Sequence, residues 1–281
     1  MKTVVITGAS TGIGRACALE LDQRGWRVFA GVRQPADAAA LAGQSSPNLT
    51  PVFIDVTDNG SIAAAAEQVT AAVGPAGLTG LVNNAGIGAG GPLEFIPIEL
   101  LRQQFEINVI GQVAVTQAFL PLLRAGRGRI INMSSISGRV SVPFVGPYSA
   151  SKFALEALTN SLRNELQPWG IKVISIQPGS IATPIWEKTL ALSYQLRRQM
   201  PPRAEDLYGA RLDDLLAAVK NTAGRGVPPE RVARAVHTAL TAARPKLRYL
   251  VGADARLAAL LVALLPDRLF DWLLIKYGGN I

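Results

Sequence analysis

The sequence predicts an α/β fold, a doubly wound parallel sheet of about seven strands with helices on both faces. Three observations lead there. Short β-branched runs alternate with helix-length stretches from Lys2 to Ile176. A glycine-rich turn, Thr7-Gly8-Ala9-Ser10-Thr11-Gly12-Ile13-Gly14, joins the first such run to the first helical stretch. Later runs end directly in turn residues, at Asn83-Asn84-Ala85-Gly86, Ser134-Ser135 and Gln177-Pro178-Gly179. Strand and helix alternating at this spacing form βαβ units with right-handed crossovers.

The elements follow in order. Lys2 to Ile6 reads as a buried strand, short, β-branched and followed by glycine, and a helix spans about Arg15 to Arg24. Trp26 to Arg33 is the second strand; Asn48 to Pro51 is expected as a turn and Val52 to Val56 as the third strand. Ser61 to Val73 is an Ala-rich helix, Leu78 to Val82 the fourth strand, and Ile98 to Arg124 a long helical region containing Asn108. Arg129 to Met133 is the fifth strand. A loop from Ile136 to Gly146 leads to a helix opened by Tyr148 and ending near Trp169, and Ile171 to Ile176 is the sixth strand. Helical stretches follow at Trp186 to Met200, at Leu207 to Lys220 and after Pro228-Pro229, with a last strand at Lys246 to Val251. The chain is expected to be a single domain over 1–281, with a C-terminal helical extension over 253–281 carrying the apolar pieces Leu257 to Leu265 and Arg268 to Leu274.

Composition narrows the function. Hydrophobic residues make up 49% and charged residues 17%, enough for a large core and unlike a disordered chain. One cysteine, Cys17, excludes an internal disulfide and fits a reducing compartment. With one Cys and one His (His237), a Cys/His zinc site is excluded, and no metal site is expected. A strand begins almost at Met1, leaving no room for a targeting segment, and the longest unbroken apolar run, Leu257 to Leu265, is too short to span a bilayer. A soluble, cytoplasmic protein is expected, at most peripheral at a membrane. The net charge of +8 is concentrated between Lys188 and Arg256, where 13 basic residues face 6 acidic ones. No nucleic-acid motif or aromatic interleaving accompanies that charge, so a solvated surface is the expectation and nucleic acid is not an expected partner.

Two motifs carry chemistry. The glycine-rich turn lets backbone approach a pyrophosphate, and the helix it opens presents free N–H groups and a positive dipole end. At the end of the second strand, where an acid would bind the 2′-hydroxyl of NAD, stands Val32, with Arg33 next. Arg33 can pair with a 2′-phosphate, so NADP(H) is favoured over NAD(H). Asp55 ends the third strand and could contact adenine or cap the next helix. The second motif is Tyr148-Ser149-Ala150-Ser151-Lys152, which places Tyr148 and Lys152 one helical turn apart. An ammonium roughly 5 Å from a phenol, at an effective dielectric of about 20, favours the phenolate by about 3 kcal/mol, about two pKa units. Tyr148 could then act as a general acid/base near neutral pH.

With these motifs in this order the chain resembles the short-chain dehydrogenase/reductase family in its common single-domain form, which has a Rossmann fold. The resemblance rests on Thr7-Gly8-x-x-x-Gly12-x-Gly14, Asn83-Asn84-Ala85-Gly86, Asn108, Ser135, Tyr148-x-x-x-Lys152 and Pro178-Gly179 with Thr183. It is strong from Lys2 to Thr183 and looser through the last strand. It implies a catalytic set of Asn108, Ser135, Tyr148 and Lys152. Tyr148 would pass a proton to or from the substrate oxygen and Ser135, rather than Ser134, would hydrogen-bond that oxygen. Lys152 would lower the Tyr148 pKa and hold the nicotinamide ribose, while Asn108 would hold a water linking Lys152 to solvent. The cofactor site it implies comprises Gly8, Ser10, Thr11, Gly12, Ile13, Gly14, Arg33, Asp55, Val56, Asn84, Ala85, Gly86, Tyr148, Lys152, Pro178, Gly179, Ile181 and Thr183. NADP-preferring members often carry a basic residue inside the glycine motif; here that place is Thr11, so the coenzyme expectation rests on Arg33 and Val32.

The segment 184–227 corresponds to the family's substrate lid, here a large helical one. Ile136, Val140, Val142, Phe144, Val145, Ile87, Leu93, Phe95, Ile185 and Trp186 are expected to include an apolar cleft, with Ser135, Val145, Tyr148 and Trp186 meeting the substrate. The Gly86-Ile87-Gly88 to Gly91-Pro92-Leu93-Glu94 stretch and the long lid look most like the hydroxysteroid and retinol dehydrogenase branch. That implies a small lipophilic alcohol or carbonyl substrate: a ketone, steroid, retinoid or long-chain aldehyde. The helices around Asn108 and after Tyr148 match the family's usual dimer surfaces, implying a homodimer or homotetramer. The C-terminal extension could cover the cleft, seal a dimer or lie on a membrane surface. The alternative is a catalytically silent protein of the same fold that senses dinucleotide, against which the intact Asn108, Ser135, Tyr148 and Lys152 argue.

Overall fold

Alternate residues of each strand face opposite ways, and the two hydrophobic clusters that flank the sheet divide along that alternation. The computed structural model describes residues 1–277, with side chains for all of these but 221–225 and 277; the last four residues of the expected extension lie outside the described residues. Seven strands form one wholly parallel sheet: β1 (Thr3–Ile6), β2 (Arg27–Val32), β3 (Leu49–Phe53), β4 (Gly80–Asn83), β5 (Arg129–Met133), β6 (Lys172–Pro178) and β7 (Arg248–Val251). Their order is β3-β2-β1-β4-β5-β6-β7. The helices are α1 (Gly12–Gln23), α2 (Pro35–Ala42), α3 (Asn59–Val73), α4 (Ile98–Phe105), α5 (Gly111–Ala125) and α6 (Gly146–Glu165), then α7 (Ile185–Gln199), α8 (Pro202–Arg225), α9 (Pro229–Thr241), α10 (Ala253–Leu264) and α11 (Asp267–Tyr277).

Val4, Ile6, Val28 and Ala30 point to one face, where α1 and α9 bury Cys17, Leu21, Val232 and Val236. Val5, Phe29, Leu81 and Ile130 point to the other, against Val69 of α3 and Val115 and Phe119 of α5. Strands buried on both faces read as continuous apolar runs, which is why β1, β4 and β5 stand out in the sequence.

Three departures from expectation bear on the site and its surroundings. The third strand is Leu49–Phe53 rather than Val52 to Val56, so Asp55 and Val56 lie in the turn beyond it. Pro51 belongs to this strand, opposite Ala30 of β2; β3 is a sheet edge, where a residue without an N–H is tolerated. The eight-residue α2, opened by Pro35, occupies a connection in which no helix is expected from sequence. The long helix from Ile98 to Ala125 is interrupted by a π-turn, Glu106–Ile110, with Asn108 inside it. By length and composition this helix could cross a membrane, but 44% of its most apolar window is buried in the fold. Its Gln104, Asn108 and Gln112 side chains hold the chain between Ala85 and Ala89, so it is a core helix here.

Candidate active site

The C-terminal ends of β1 and β4 lie side by side while the chain leaves them in opposite directions across the sheet. A crevice at this point is where doubly wound folds bind ligands. Its floor is the glycine turn. Gly8 has φ +64, and a Cβ there would stand 2.8 Å from Ala85 Cα. Gly12 has φ +56 and faces Thr183, whose Cβ would lie 3.2 Å from an added Cβ. Gly14 packs directly on the Gly8 carbonyl and the Asn84 side-chain amide. Thr11 precedes α1 and gives it no side-chain cap, so the amides of the first turn have no side-chain partner there. Ser10 and Ile13 are half-buried and Thr11 is exposed on this turn.

Asn84 ties β4 to the turn: its Nδ2 donates to the Thr7 carbonyl (2.9 Å) and the Gly8 carbonyl (3.1 Å). Its backbone N–H and that of Ala85 donate to Thr7 Oγ1. Gly86 approaches Asn108 Oδ1. On the far side, the Gly179 N–H donates to Val251, Ile181 pairs with Val227, and Thr183 lies against Gly12, closing the crevice opposite Gly8. Arg33 is exposed at the end of β2, and its charge helps hold the Asp55 carboxyl below its ordinary value; the larger cause is the Thr57 N–H, which donates to Asp55. Val56 is buried against Gly111, where its own carbonyl leaves no room for a Cβ.

Tyr148, Lys152 and Ser135 converge at the mouth of this crevice. Tyr148 stands in the first turn of α6, which begins at Gly146 rather than at Tyr148 itself. Burial raises the Tyr148 pKa above 10, and a hydrogen bond with the Ser135 hydroxyl opposes that rise. The net direction is set by burial rather than by the depression expected from Lys152. The Lys152 ammonium donates to the Met133 carbonyl (2.8 Å) and lies over the Tyr148 ring, 5.6 Å from its centroid. Lys152 is itself 5% exposed, and desolvation lowers its pKa from 10.5 to about 8 against the opposing charge of Glu156.

Asn108 is fully buried, and its side chain is engaged: Oδ1 accepts from the Ile87 N–H (2.9 Å), and Nδ2 donates to the Ile87 carbonyl (3.0 Å) and Ser151 Oγ (3.1 Å). Only the remaining Oδ1 lone pair or the backbone carbonyl is left for the water link expected of it. Sequence reasoning missed a second polar line beneath the site. Asn83 Nδ2 donates to Thr116 (2.8 Å) and Asn132 (2.9 Å), and Asn132 Nδ2 donates to Thr159 (2.8 Å), joining α5, β4, β5 and α6. Helical periodicity from Tyr148 through Lys152, Glu156 and Thr159 is the signal that could have found its far end.

α7 and α8 pack against the chain that runs from β4 to α4. Tyr208 hydrogen-bonds Glu94 (2.9 Å) and meets Phe95 and Phe144 edge-on, each at 6.0 Å between centroids. Phe144 has φ +65, a conformation that costs a side-chain-bearing residue about 1–2 kcal/mol; the Gly91 N–H holds its carbonyl at 2.7 Å. Arg197 on α7 pairs with Glu205 and Asp213 on α8. Trp186 donates its indole N–H to the Ile181 carbonyl (2.7 Å), and Val145 is half-buried just before α6. Part of the expected cleft is ordinary core: Ile136, Val140 and Val142 pack under Ala258, Phe270 and Leu274 of the C-terminal helices. Asp254 at the start of α10 accepts from the Ser180 N–H (2.6 Å), so the extension also fixes the loop after β6.

Known proteins resemble this chain in sequence and fold. The family model for short chain dehydrogenases matches residues 2–191. The 17-beta-hydroxysteroid dehydrogenase type 6 of Bos taurus is 39% identical over 287 residues, spanning 98% of this chain and 88% of its own. The NADPH-dependent 3-dehydrocapnine reductase of Ornithobacterium rhinotracheale is 37% identical, spanning 98% and 97%. A short chain dehydrogenase of Burkholderia cenocepacia, solved in complex with NADP, superposes with a TM-score of 0.73 at 29% identity, covering 96% of this chain and 97% of its own.

Proposed function

The chain belongs to the short-chain dehydrogenase family, and from that premise we propose that it moves a hydride between NADP(H) and a lipophilic alcohol or carbonyl compound with Tyr148 as general acid/base. Membership makes it an oxidoreductase acting on CH–OH groups. The observation that carries the rest is the convergence of Tyr148, Ser135 and Lys152 beside the glycine turn. The crevice suits a dinucleotide, because Gly8, Gly12 and Gly14 leave backbone exposed where side chains would intrude and the first turn of α1 is uncapped. A bound nicotinamide coenzyme supplies the hydride chemistry, and the protein supplies orientation and a proton.

The residues act as follows. A phenol with a raised pKa is neutral at pH 7, so Tyr148 donates its proton to a carbonyl oxygen in reduction and accepts it back in oxidation. Ser135 stands beside the phenol and shares the substrate oxygen with it. Lys152 offers a positive charge to the phenolate that forms. The exposed Arg33 and the absence of an acid at Val32 support NADP(H), as do the NADPH dependence of the Ornithobacterium relative and the NADP in the Burkholderia structure. Phe95 and Phe144, met edge-on by Tyr208 of the lid, support a lipophilic substrate, as does the hydroxysteroid relative. Tyr148→Phe should reduce turnover at least ~100-fold while leaving the affinity for NADPH, read by fluorescence titration, unchanged. Retained turnover would remove Tyr148 from the mechanism. Wild-type protein that binds NADPH yet turns over no steroid, retinoid, ketone or aldehyde would favour the silent sensor.

Two outward apolar faces extend the reading. A groove of about 500 Å³ between α5 and α6, lined by Leu120, Leu158, Leu162 and Trp169, is where a second copy docks to form a homodimer. On α10 and α11, Leu260, Leu264 and Ile275 remain 54%, 70% and 79% exposed after the inner face has packed, which supports weak membrane-surface contact. Sedimentation with liposome flotation tests both. A monomer at micromolar concentration would remove the first, and flotation unchanged by Leu264→Ser with Ile275→Ser would remove the second.

A further inference from the structure

We propose that Glu156 is a positioning residue for the Tyr148–Lys152 pair, supplying a buried counter-charge to the Lys152 ammonium while tying α6 to the far strands of the sheet. The inference rests on the reading of Tyr148 and Lys152 as the proton-handling pair. Tyr148, Lys152 and Glu156 stand at i, i+4 and i+8 of α6, one above the other on the face turned to the sheet. Glu156 is 7% exposed and Lys152 5%, so neither charge is compensated by bulk water. A buried charge of this kind persists only when paired or hydrogen-bonded.

The carboxylate is held from two sides. Ser175 of β6 donates its hydroxyl to one oxygen, and Arg248 of β7 donates Nε to the other at 3.1 Å. Arg248 also donates to Asn160 Oδ1 (2.9 Å), which accepts from Arg163 as well (2.8 Å), so the Arg248 guanidinium is itself fixed. Ser134 and Gln177 face the same carboxylate and help keep it ionised, although their polar side-chain atoms form no well-aligned hydrogen bond. Gly138 leaves the space that Glu156 fills: a Cβ there would lie 3.0 Å from Glu156 Cγ and 2.8 Å from Ser134 Oγ. The groups facing Lys152 are thus Tyr148 and Glu156 on its own helix and the Met133 carbonyl of β5, with Arg248 of β7 beyond Glu156.

This arrangement answers a question the catalytic pair leaves open. Desolvation drives the buried Lys152 toward its neutral form, and the Glu156 charge opposes that drive. A neutral amine could not stabilise a phenolate on Tyr148, so the charge state that the reaction needs depends on a carboxylate that never touches substrate.

The test is a direct titration of Lys152 by NMR of 13Cε-labelled lysine, its resonance assigned from Lys152→Arg, alongside the pH profile of kcat. In Glu156→Gln the Lys152 midpoint should fall by roughly one to two pH units, as loss of a unit charge one helical turn away implies. The high-pH limb of kcat should fall with it, and Glu156→Asp, which keeps the charge, should restore most of both. A folded Glu156→Gln with an unchanged Lys152 midpoint, and only a lower melting temperature, overturns the proposal and leaves Glu156 as a structural tie. Should Glu156→Gln not fold, Arg248→Met decides: removing the competing cation should raise the Lys152 midpoint, and no change there overturns the proposal equally. A shifted midpoint in Glu156→Gln together with full activity in Tyr148→Phe would uphold the charge relation while removing the catalytic reading.

Discussion

Gly14→Ala tests whether the crevice beside β1 is a built cradle or an incidental turn. The added methyl would overlap the Gly8 carbonyl oxygen and the Asn84 side-chain nitrogen and stand 2.9 Å from the Gly8 carbonyl carbon. Ordinary carbon contacts begin near ~3.5 Å, so the turn and α1 must separate by more than ~0.6 Å. That movement strains the Asn84 bonds to the Thr7 and Gly8 carbonyls, at 2.9 and 3.1 Å. Overpacking of this kind costs about 1–3 kcal/mol, which in a domain of this size lowers the melting temperature by roughly 2–12 °C. It should also displace the first-turn amides of α1. Losing one hydrogen bond to a charged phosphate, worth about 1.5–3 kcal/mol, weakens NADPH binding by roughly 10- to 150-fold. Gly25→Ala is the control, because Gly25 has φ +74 and nothing within 4 Å of a Cβ. It should lose about 1–2 kcal/mol of stability through backbone conformation alone and keep its affinity for NADPH. Differential scanning fluorimetry and fluorescence titration read both quantities. Wild-type stability and affinity in Gly14→Ala, or an equal loss of affinity in Gly25→Ala, would refute the reasoning.

Two further outcomes follow from the buried polar groups. Asn132 is 1% exposed and bonds both Asn83 and Thr159, so Asn132→Ala should destabilise the fold by about 2–4 kcal/mol in urea unfolding, and a loss under ~1 kcal/mol would show the ladder to be dispensable. Lys152 has its folded pKa depressed from 10.5 to about 8. Below pH 8 it is charged in both states and the burial cost is fully present. Between about pH 8 and 10.5 the folded form loses its proton first, so its contribution to stability rises with pH, by up to about 3 kcal/mol. Lys152→Met should flatten that rise in denaturation curves measured from pH 7 to 10; an identical pH dependence in the variant would place the titration elsewhere.

Much of the fold is legible in the chain because local periodicity reports it. Fully buried parallel strands read as β-branched runs, the glycines open α1, and the spacing of Tyr148 and Lys152 puts them on one face of α6. The edge strand β3 is misplaced from sequence because Pro51 looks like a breaker until β3 is known to have a single neighbour. The short α2 carries too little amphipathic pattern to announce itself.

The sequence by itself determined the kind of molecule this is: the order of strands and helices, the glycines that open α1, and the spacing that puts Tyr148 and Lys152 on one helical face. Tertiary structure alone decided how those residues behave. The Tyr148 pKa rises because burial surrounds the phenol while the Lys152 ammonium is drawn to Met133, 19 residues away. Glu156 acquires its partner from Arg248 at a separation of 92 residues, and Tyr208 reaches Glu94 across 114. Val140 proves to be core because helices more than a hundred residues later cover it. Periodicity sees neighbours one helical turn away. Desolvation and charge pairing depend on whatever the folded chain brings within a few ångströms, and that is set by the packing of the whole sheet.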